Sequence, residues 1–269
     1  MLDKIIEATK KRADQLSQKY TFKYFEEMTL FQSPTISLKE YILKPEKNGI
    51  IAEFKRHSPS KGSLNNYALV SQTTVEYMRA SCSALSILTE PEFFKGSNSD
   101  LIEARKFNFC PILRKDFIIN PIQIFESRSI GADAILLIAK VLSKEQLKEL
   151  YQCAKEIGLE IMIEINALDD LEKIDFEPEI IGINARNLST MEIDSQKIIE
   201  IKNNILVDSV FVAESGISQA QQIISLKKNG FNGFLIGSHF MKSSDPGEAC
   251  GKFCNELATL SHKKTVEKV

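Results

Sequence analysis

"IIAEFKRHSPSKG", residues 50–62, starts as an ordinary buried strand and then breaks its own pattern. Ile50, Ile51, Ala52 and Phe54 suit a strand covered on both faces. Glu53 and Lys55 do not, and a loop rich in Ser, Pro, Lys and Gly follows at once. Side chains alternate along a strand, so Ile51, Glu53 and Lys55 share one face and Ile50, Ala52 and Phe54 the other. An unpaired buried charge costs several kcal/mol. A carboxylate and an ammonium side by side at the end of an apolar strand therefore need a use.

The pattern recurs. From Ile50 onward, short runs rich in Val, Ile and Leu alternate with longer segments of helical period. Strands are expected at residues 50–55, 84–89, 111–115, 134–139, 160–164, 180–184, 210–214 and 233–237. Between them lie helical patterns such as 144–157, where Leu147, Leu150, Tyr151 and Ala154 mark one face. The last helix opens at Asp245-Pro246-Gly247-Glu248, with a cap, a first-turn proline and a capping-box glutamate. Strand–helix units recurring every ~25 residues predict an α/β chain folded as a closed (β/α)8 TIM barrel. An open doubly wound sheet would carry a Gly-rich fingerprint after its first strand, and Arg56-His57-Ser58-Pro59 is not one. No linker-like composition divides the chain, so residues 1–269 read as one domain. Residues 1–48 form a helical extension covering an end or rim: Ile5, Ile6, Ala13 and Leu16 share a face, and Ser37 to Glu40 has the form of a capping box.

Composition narrows the function. The chain is 43% hydrophobic and 26% charged, ordinary for a globular protein, and its net charge of -2 argues against a nucleic-acid binder working through a basic face. Lys263 and Lys264 read as a solvated terminus. No apolar run approaches the ~18 residues of a membrane span, and the N-terminal segment is amphipathic rather than signal-like. The five cysteines, an odd number without Cys-x-x-Cys spacing, fit reduced thiols in the cytoplasm. Cys250 and Cys254, four apart on a helix, read as core or surface thiols. His57, His239 and His262 are scattered, so the expectation is a protein without a metal site.

Applied to the other strands, the alternation places Lys115, Glu164, Asn184 and Glu214 at the last inward position of strands three, five, six and seven. Any one of them alone reads as well as a solvated edge or a capping partner. Together with Glu53 and Lys55 they converge on the C-terminal mouth, where barrel enzymes do their chemistry. Ser215-Gly216 after strand seven and Gly237-Ser238 after strand eight sit where barrels bind phosphate through backbone N–H groups. Glycine lets the backbone approach such oxygens closely.

These residues also carry a resemblance. "IIAEFKRHSPSKG", "PILRKDFI", "ADAILLIAKVL", "IGINARNL" and "VAESGI" closely resemble the indole-3-glycerol phosphate synthases of tryptophan biosynthesis, with shorter matches in "IEIN" and "FLIGS". The motifs fall in order at seven of the eight expected strands. The resemblance implies a carbon–carbon lyase closing the ring of 1-(2-carboxyphenylamino)-1-deoxyribulose 5-phosphate, with loss of carbon dioxide and water. It implies Lys115 as general acid at the ketose carbonyl, Lys55 near the anthranilate carboxylate and as a donor in dehydration, and Glu164 as general base. Glu53 and Glu214 would hold substrate hydroxyls and orient the lysines, and Asn184 would position the substrate. Ser58, Arg186, Ser215, Gly216, Gly237 and Ser238 match phosphate- and rim-contacting positions, and Phe93, Phe117 and Leu188 would wall the aromatic ring. No cofactor is expected, since the substrate's own carbonyl is the electron sink. The expected partner is a phosphorylated small molecule, with no nucleic acid or membrane. The chain is expected to be a cytoplasmic monomer, with weak association with other tryptophan-pathway enzymes left open. Asn166, Asn120 and Lys140 depart from the usual His, Asp and small residue.

Two rivals have weaker support. Phosphoribosylanthranilate isomerase, another phosphate-binding barrel, looks for a Cys at the end of strand one, where this chain has Glu-Phe-Lys. A barrel that only binds its ligand would not need the Lys55, Lys115 and Glu164 set.

Overall fold

Eight parallel strands close on themselves in the computed structural model, which describes residues 1–266 apart from 187–191 and 195, and only the backbone beyond 262. They are β1 (Ile50–Phe54), β2 (Ala84–Leu88), β3 (Ile112–Lys115), β4 (Ala134–Ile138), β5 (Glu160–Ile165), β6 (Ile180–Asn184), β7 (Val210–Glu214) and β8 (Gly233–Ile236). Each pairs with its sequence neighbours, and β1 closes the ring by pairing with both β2 (Ile51 opposite Ala84) and β8 (Ile50 opposite Phe234). The strands match the expected positions to within a residue at each end. Lys55, Thr89, Ala139 and Gly237 fall just past the ladder, which leaves them on the rim.

The alternation has the predicted consequence. Ile50, Ala52 and Phe54 pack outward in one apolar layer with Leu85, Ile87, Tyr77 and Leu101. Ile51, Leu113, Leu136, Met162, Val212 and Leu235 fill a second layer inside the barrel. Truncating a filler such as Met162 to Ala would leave a cavity costing about 2–5 kcal/mol. At the top of this inner stack the apolar residues give way to the polar strand ends.

Helices α1 (Leu2–Lys19), α2 (Phe22–Glu26), α3 (Thr29–Gln32) and α4 (Leu38–Leu43) precede the barrel. Those that follow are α5 (Val70–Arg79), α6 (Asn98–Phe107), α7 (Pro121–Ser129), α8 (Lys144–Glu156), α9 (Lys197–Asn203), α10 (Ala220–Lys228), α11 (Ser238–Met241) and α12 (Pro246–Val266). After β5 the expected helix is replaced by a 3-10 segment, Leu168–Lys173. Asp170 ties that segment down by accepting from Asn166 and Ala167 N–H, and tight i,i+3 turns suit so short a connection. At α12, Asp245 Oδ1 accepts from Glu248 N–H at 2.9 Å, as the capping pattern predicted.

The extension reaches both ends of the barrel. Arg12 of α1 donates to Asp116 Oδ1 at 2.8 Å, just past the C-terminal end of β3. The segment leading into α4 is pinned at the opposite end, where Ser37 Oγ and Lys39 N–H both donate to Glu160 at the start of β5. Ser37 also caps α4 through Glu40 N–H. Leu38 and Ile42 then plug the barrel floor: a Cβ on Gly233 would meet Ile42 at 3.5 Å.

Candidate active site

A cavity of about 350 Å³ opens at the C-terminal mouth. Its floor is the set of polar strand ends, with Lys115 at the centre. Its ammonium donates to Glu164 Oε2 at 2.8 Å and Glu214 Oε2 at 2.9 Å. Glu164 Oε1 accepts from Asn184 Nδ2 at 3.0 Å, and Asn184 Oδ1 accepts from Arg186 N–H, which fixes the amide's orientation. On β1, Lys55 donates to Glu53 Oε1. Glu53, Glu164 and Glu214 are each only 2% exposed, so these ionic groups are largely withdrawn from water.

Such packing shifts protons. Burial alone would pull the Lys115 ammonium down, but the charges of Glu164, Glu214 and Glu53 outweigh it and hold it above the usual lysine range. Lys115 is thus charged at rest, the state a proton donor needs. Burial pushes Glu214 the other way, up to about 8; the Lys115 charge opposes this, and Glu164 and Glu53 add to it.

The far wall is cationic. Lys61, Lys242 and Arg186 line the cavity beside Ser215, Gly216, Gly237 and Ser238. Partial burial and then the charges of Lys242, Arg186 and Lys55 lower the Lys61 ammonium below its ordinary value. Ser215 and Gly216 follow one another with φ of 68° and 79°. Glycine takes that region freely, whereas a serine there is strained, and such strain gathers at functional sites. Gly237 serves differently: a Cβ on it would stand 2.4 Å from Glu53 Oε1, so its bareness makes room for the carboxylate. Ser58 Oγ and Glu214 Oε1, both shielded from solvent, find no hydrogen-bond partner among the described residues.

The cavity brings together Glu53, Lys55, Ser58, Lys115, Phe117, Glu164, Asn184, Arg186, Glu214, Ser215, Gly216, Gly237 and Ser238. Leu188 lies outside the described residues. Phe93 is a correction. It lines a separate surface hollow beside Arg12 and Glu92, and Phe94 faces the mouth instead. The cause is Glu90, whose carboxylate accepts from three successive N–H groups, Glu92, Phe93 and Phe94, and so curls the segment. His57 Nδ1 also lies 2.7 Å from Phe93 O, holding that backbone against the loop after β1.

Sequence reasoning missed Lys61, Lys242 and Gly182 as well. Lys61 stood in the quoted loop. Gly182 alternates with Asn184 on the inward face, and a Cβ there would meet Glu214 Oε1 at 2.3 Å. Two of the departing residues have structural work. Asn120 caps α7 by accepting from Ile122 N–H, and Asn166 Nδ2 donates to the carbonyls of Asn184 and Arg186, bracing the end of β6.

Comparison with known proteins shows the family. The family model described as indole-3-glycerol phosphate synthase matches residues 2–253. A protein of that name from Bacteroides thetaiotaomicron is 43% identical over 80% of this chain and 83% of its own length. Another from Aliarcobacter butzleri is 39% identical over 96% of this chain and 99% of its own. Among solved structures, 3-hexulose-6-phosphate synthase from Salmonella typhimurium superposes with a TM-score of 0.60 at 12% identity, covering 79% of this chain and 99% of its own. A chain from the tryptophan synthase complex of Pyrococcus furiosus does so with a TM-score of 0.57 at 18% identity, covering 80% and 99%. These two share the barrel fold. With a family model spanning nearly its whole length and relatives at this identity, the chain belongs to the indole-3-glycerol phosphate synthase family.

Proposed function

We propose that the barrel mouth closes the indole ring of 1-(2-carboxyphenylamino)-1-deoxyribulose 5-phosphate, with Lys115 as the acid that makes the closure possible. The overall reaction, which comes with the family, forms indole-3-glycerol phosphate and releases carbon dioxide and water. The observation that carries the residue roles is the Lys115 ammonium held between Glu164 and Glu214 on the cavity floor.

The chemistry follows from charge. As the aromatic carbon attacks the ketose carbonyl, negative charge grows on the carbonyl oxygen, and Lys115 meets it with a positive charge and a proton. Carbon dioxide then leaves, and its bonding electrons restore the ring. Loss of the hydroxyl as water needs a second donor, which we assign to Lys55, and a base to take the last proton, which we assign to Glu164. Glu53 orients Lys55, Glu214 orients Lys115, and Asn184 holds Glu164. The cationic wall of Lys61, Lys242 and Arg186, together with the backbone at Gly216 and Gly237, receives the phosphate. Phe94 and Phe117 flank the anthranilate ring. In this reading the protein acts as a cytoplasmic monomer on this small phosphorylated substrate.

The test is direct. Purified protein mixed with the carboxyphenylamino-deoxyribulose phosphate should develop indole fluorescence, and with no Trp in the chain the background is low. Turnover should survive exhaustive treatment with EDTA, because every step assigned above uses an acid, a base or a fixed charge. Absence of product would contradict the activity, and a loss after EDTA that is restored by a divalent ion would contradict the acid–base assignment.

A further inference from the structure

Three sulfurs that the reaction does not use meet at the other end of the barrel. Cys82 lies just before β2, and Cys250 and Cys254 stand one turn apart on α12, hence on one face. Their Sγ atoms all lie within 4.8 Å of one another, and Cys82 and Cys250 approach to 3.5 Å. Cys82 and Cys250 are fully buried, and Cys254 is 9% exposed. Asn48, just before β1, donates from Nδ2 to Cys254 Sγ at 3.3 Å. Its Oδ1 accepts from Ile50 N–H at 2.9 Å, which holds the amide with its donor end toward the sulfur. Asn48 and Cys82 mark the N-terminal ends of β1 and β2, so the length of the barrel separates this cluster from the active site.

Metal–sulfur bonds of about 2.3 Å set neighbouring sulfurs about 3.8 Å apart in tetrahedral and about 4.0 Å apart in trigonal coordination. The Cys82–Cys250 separation of 3.5 Å falls just short of those values and no pair exceeds 4.8 Å, so small side-chain adjustments suffice. Thiolate sulfur selects soft ions, and a donor hydrogen-bonded to a ligand sulfur, as Asn48 is, tunes and orients it. We propose that Cys82, Cys250 and Cys254 form a site for one soft d10 metal ion, of the Zn(II), Cd(II) and Cu(I) class, in three-sulfur coordination. Binding is ligand exchange: each metal–sulfur bond replaces an S–H bond, the protons leave to solvent, and no oxidation state changes. The bound ion staples α12 to the turn between α5 and β2, which makes it a stabilising site with no part in turnover.

The test titrates Cd(II) into the reduced, metal-stripped full-length protein. One equivalent should bind, with an ultraviolet thiolate-to-metal charge-transfer band and a rise in Tm, since a ligand of the folded state alone stabilises it. Cys254→Ser should weaken binding at least ~10-fold, and Asn48→Ala should weaken it by roughly that factor, as outer-shell changes do. Cys153→Ser, on the distant α8, should change nothing; circular dichroism checks that each variant is folded. No charge-transfer band from folded wild type overturns the proposal and leaves the three cysteines as small apolar packing. So does a band that survives Cys254→Ser with undiminished affinity, or one that Cys153→Ser abolishes.

Discussion

Gly237 shows how a single residue changes meaning once its neighbours are known. As a glycine after the last strand it reads as a phosphate contact, yet the space it leaves is taken by Glu53. Gly237→Ala should therefore lower kcat as well as raise KM, because the added Cβ displaces the carboxylate that orients Lys55. A rise in KM alone would return Gly237 to a purely anion-binding role. Lys55→Met should act on both constants too, since its ammonium is assigned to carboxylate binding and to dehydration. Glu214 makes a pH prediction. Its pKa rises from an ordinary 4.5 to about 8 in the fold, so the native state keeps a proton that the unfolded chain gives up. The stability tied to that proton is complete below about 4.5 and is lost as the pH climbs through about 8. Glu214→Gln should remove this loss, so its Tm should gain on wild type steadily across that window. Parallel Tm profiles for the two proteins would contradict the shift.

At the scale of elements, the loop after β1 is more ordered than its Ser-Pro-Ser-Lys-Gly composition implies. His57–Ser58 and Gly62–Ser63 pair as a small hairpin. Arg56 Nη1 donates to both carboxylate oxygens of Asp100, and Asn65 Nδ2 donates to Ser243 O. The tip, with Pro59, Ser60 and Lys61, overhangs the cavity. Trypsin should cut at Lys61 in the free protein, and substrate or product should slow that cut. Equal rates with and without ligand would show that the tip does not close on the ligand. Helix α1 is the second such element. Arg12 bridges it to Asp116 and Glu90, two buried carboxylates that shape the loops after β3 and β2. Arg12→Ala should cost about 1–3 kcal/mol, the range for leaving buried polar groups short of a partner. Chemical denaturation measures it, and an unchanged midpoint would mean that α1 merely rests on the rim.

For the whole molecule, strand alternation was legible because it is local. A period of two along "IIAEFK" separates inward from outward residues without any knowledge of the rest of the chain, and the same rule found Lys115, Glu164, Asn184 and Glu214. What depended on distant partners was not legible. Glu90 turns Phe94 rather than Phe93 to the mouth through three backbone bonds. Cys82 meets Cys250 and Cys254 only because α12 packs beside α5, and Gly182 matters only because Glu214 lies against it. Ring closure depends on one ammonium held between the carboxyl groups of Glu164 and Glu214, and Lys115→Met addresses it most directly. Methionine keeps much of the stem and removes the proton, while the buried Glu164 and Glu214 lose their shared hydrogen-bond donor, so Tm should also fall. With the carboxyphenylamino-deoxyribulose phosphate as substrate and circular dichroism to confirm the fold, the kcat of Lys115→Met should drop at least ~10²-fold, the low end for loss of a general acid. A folded Lys115→Met protein that turns over at near the wild-type rate would contradict the account.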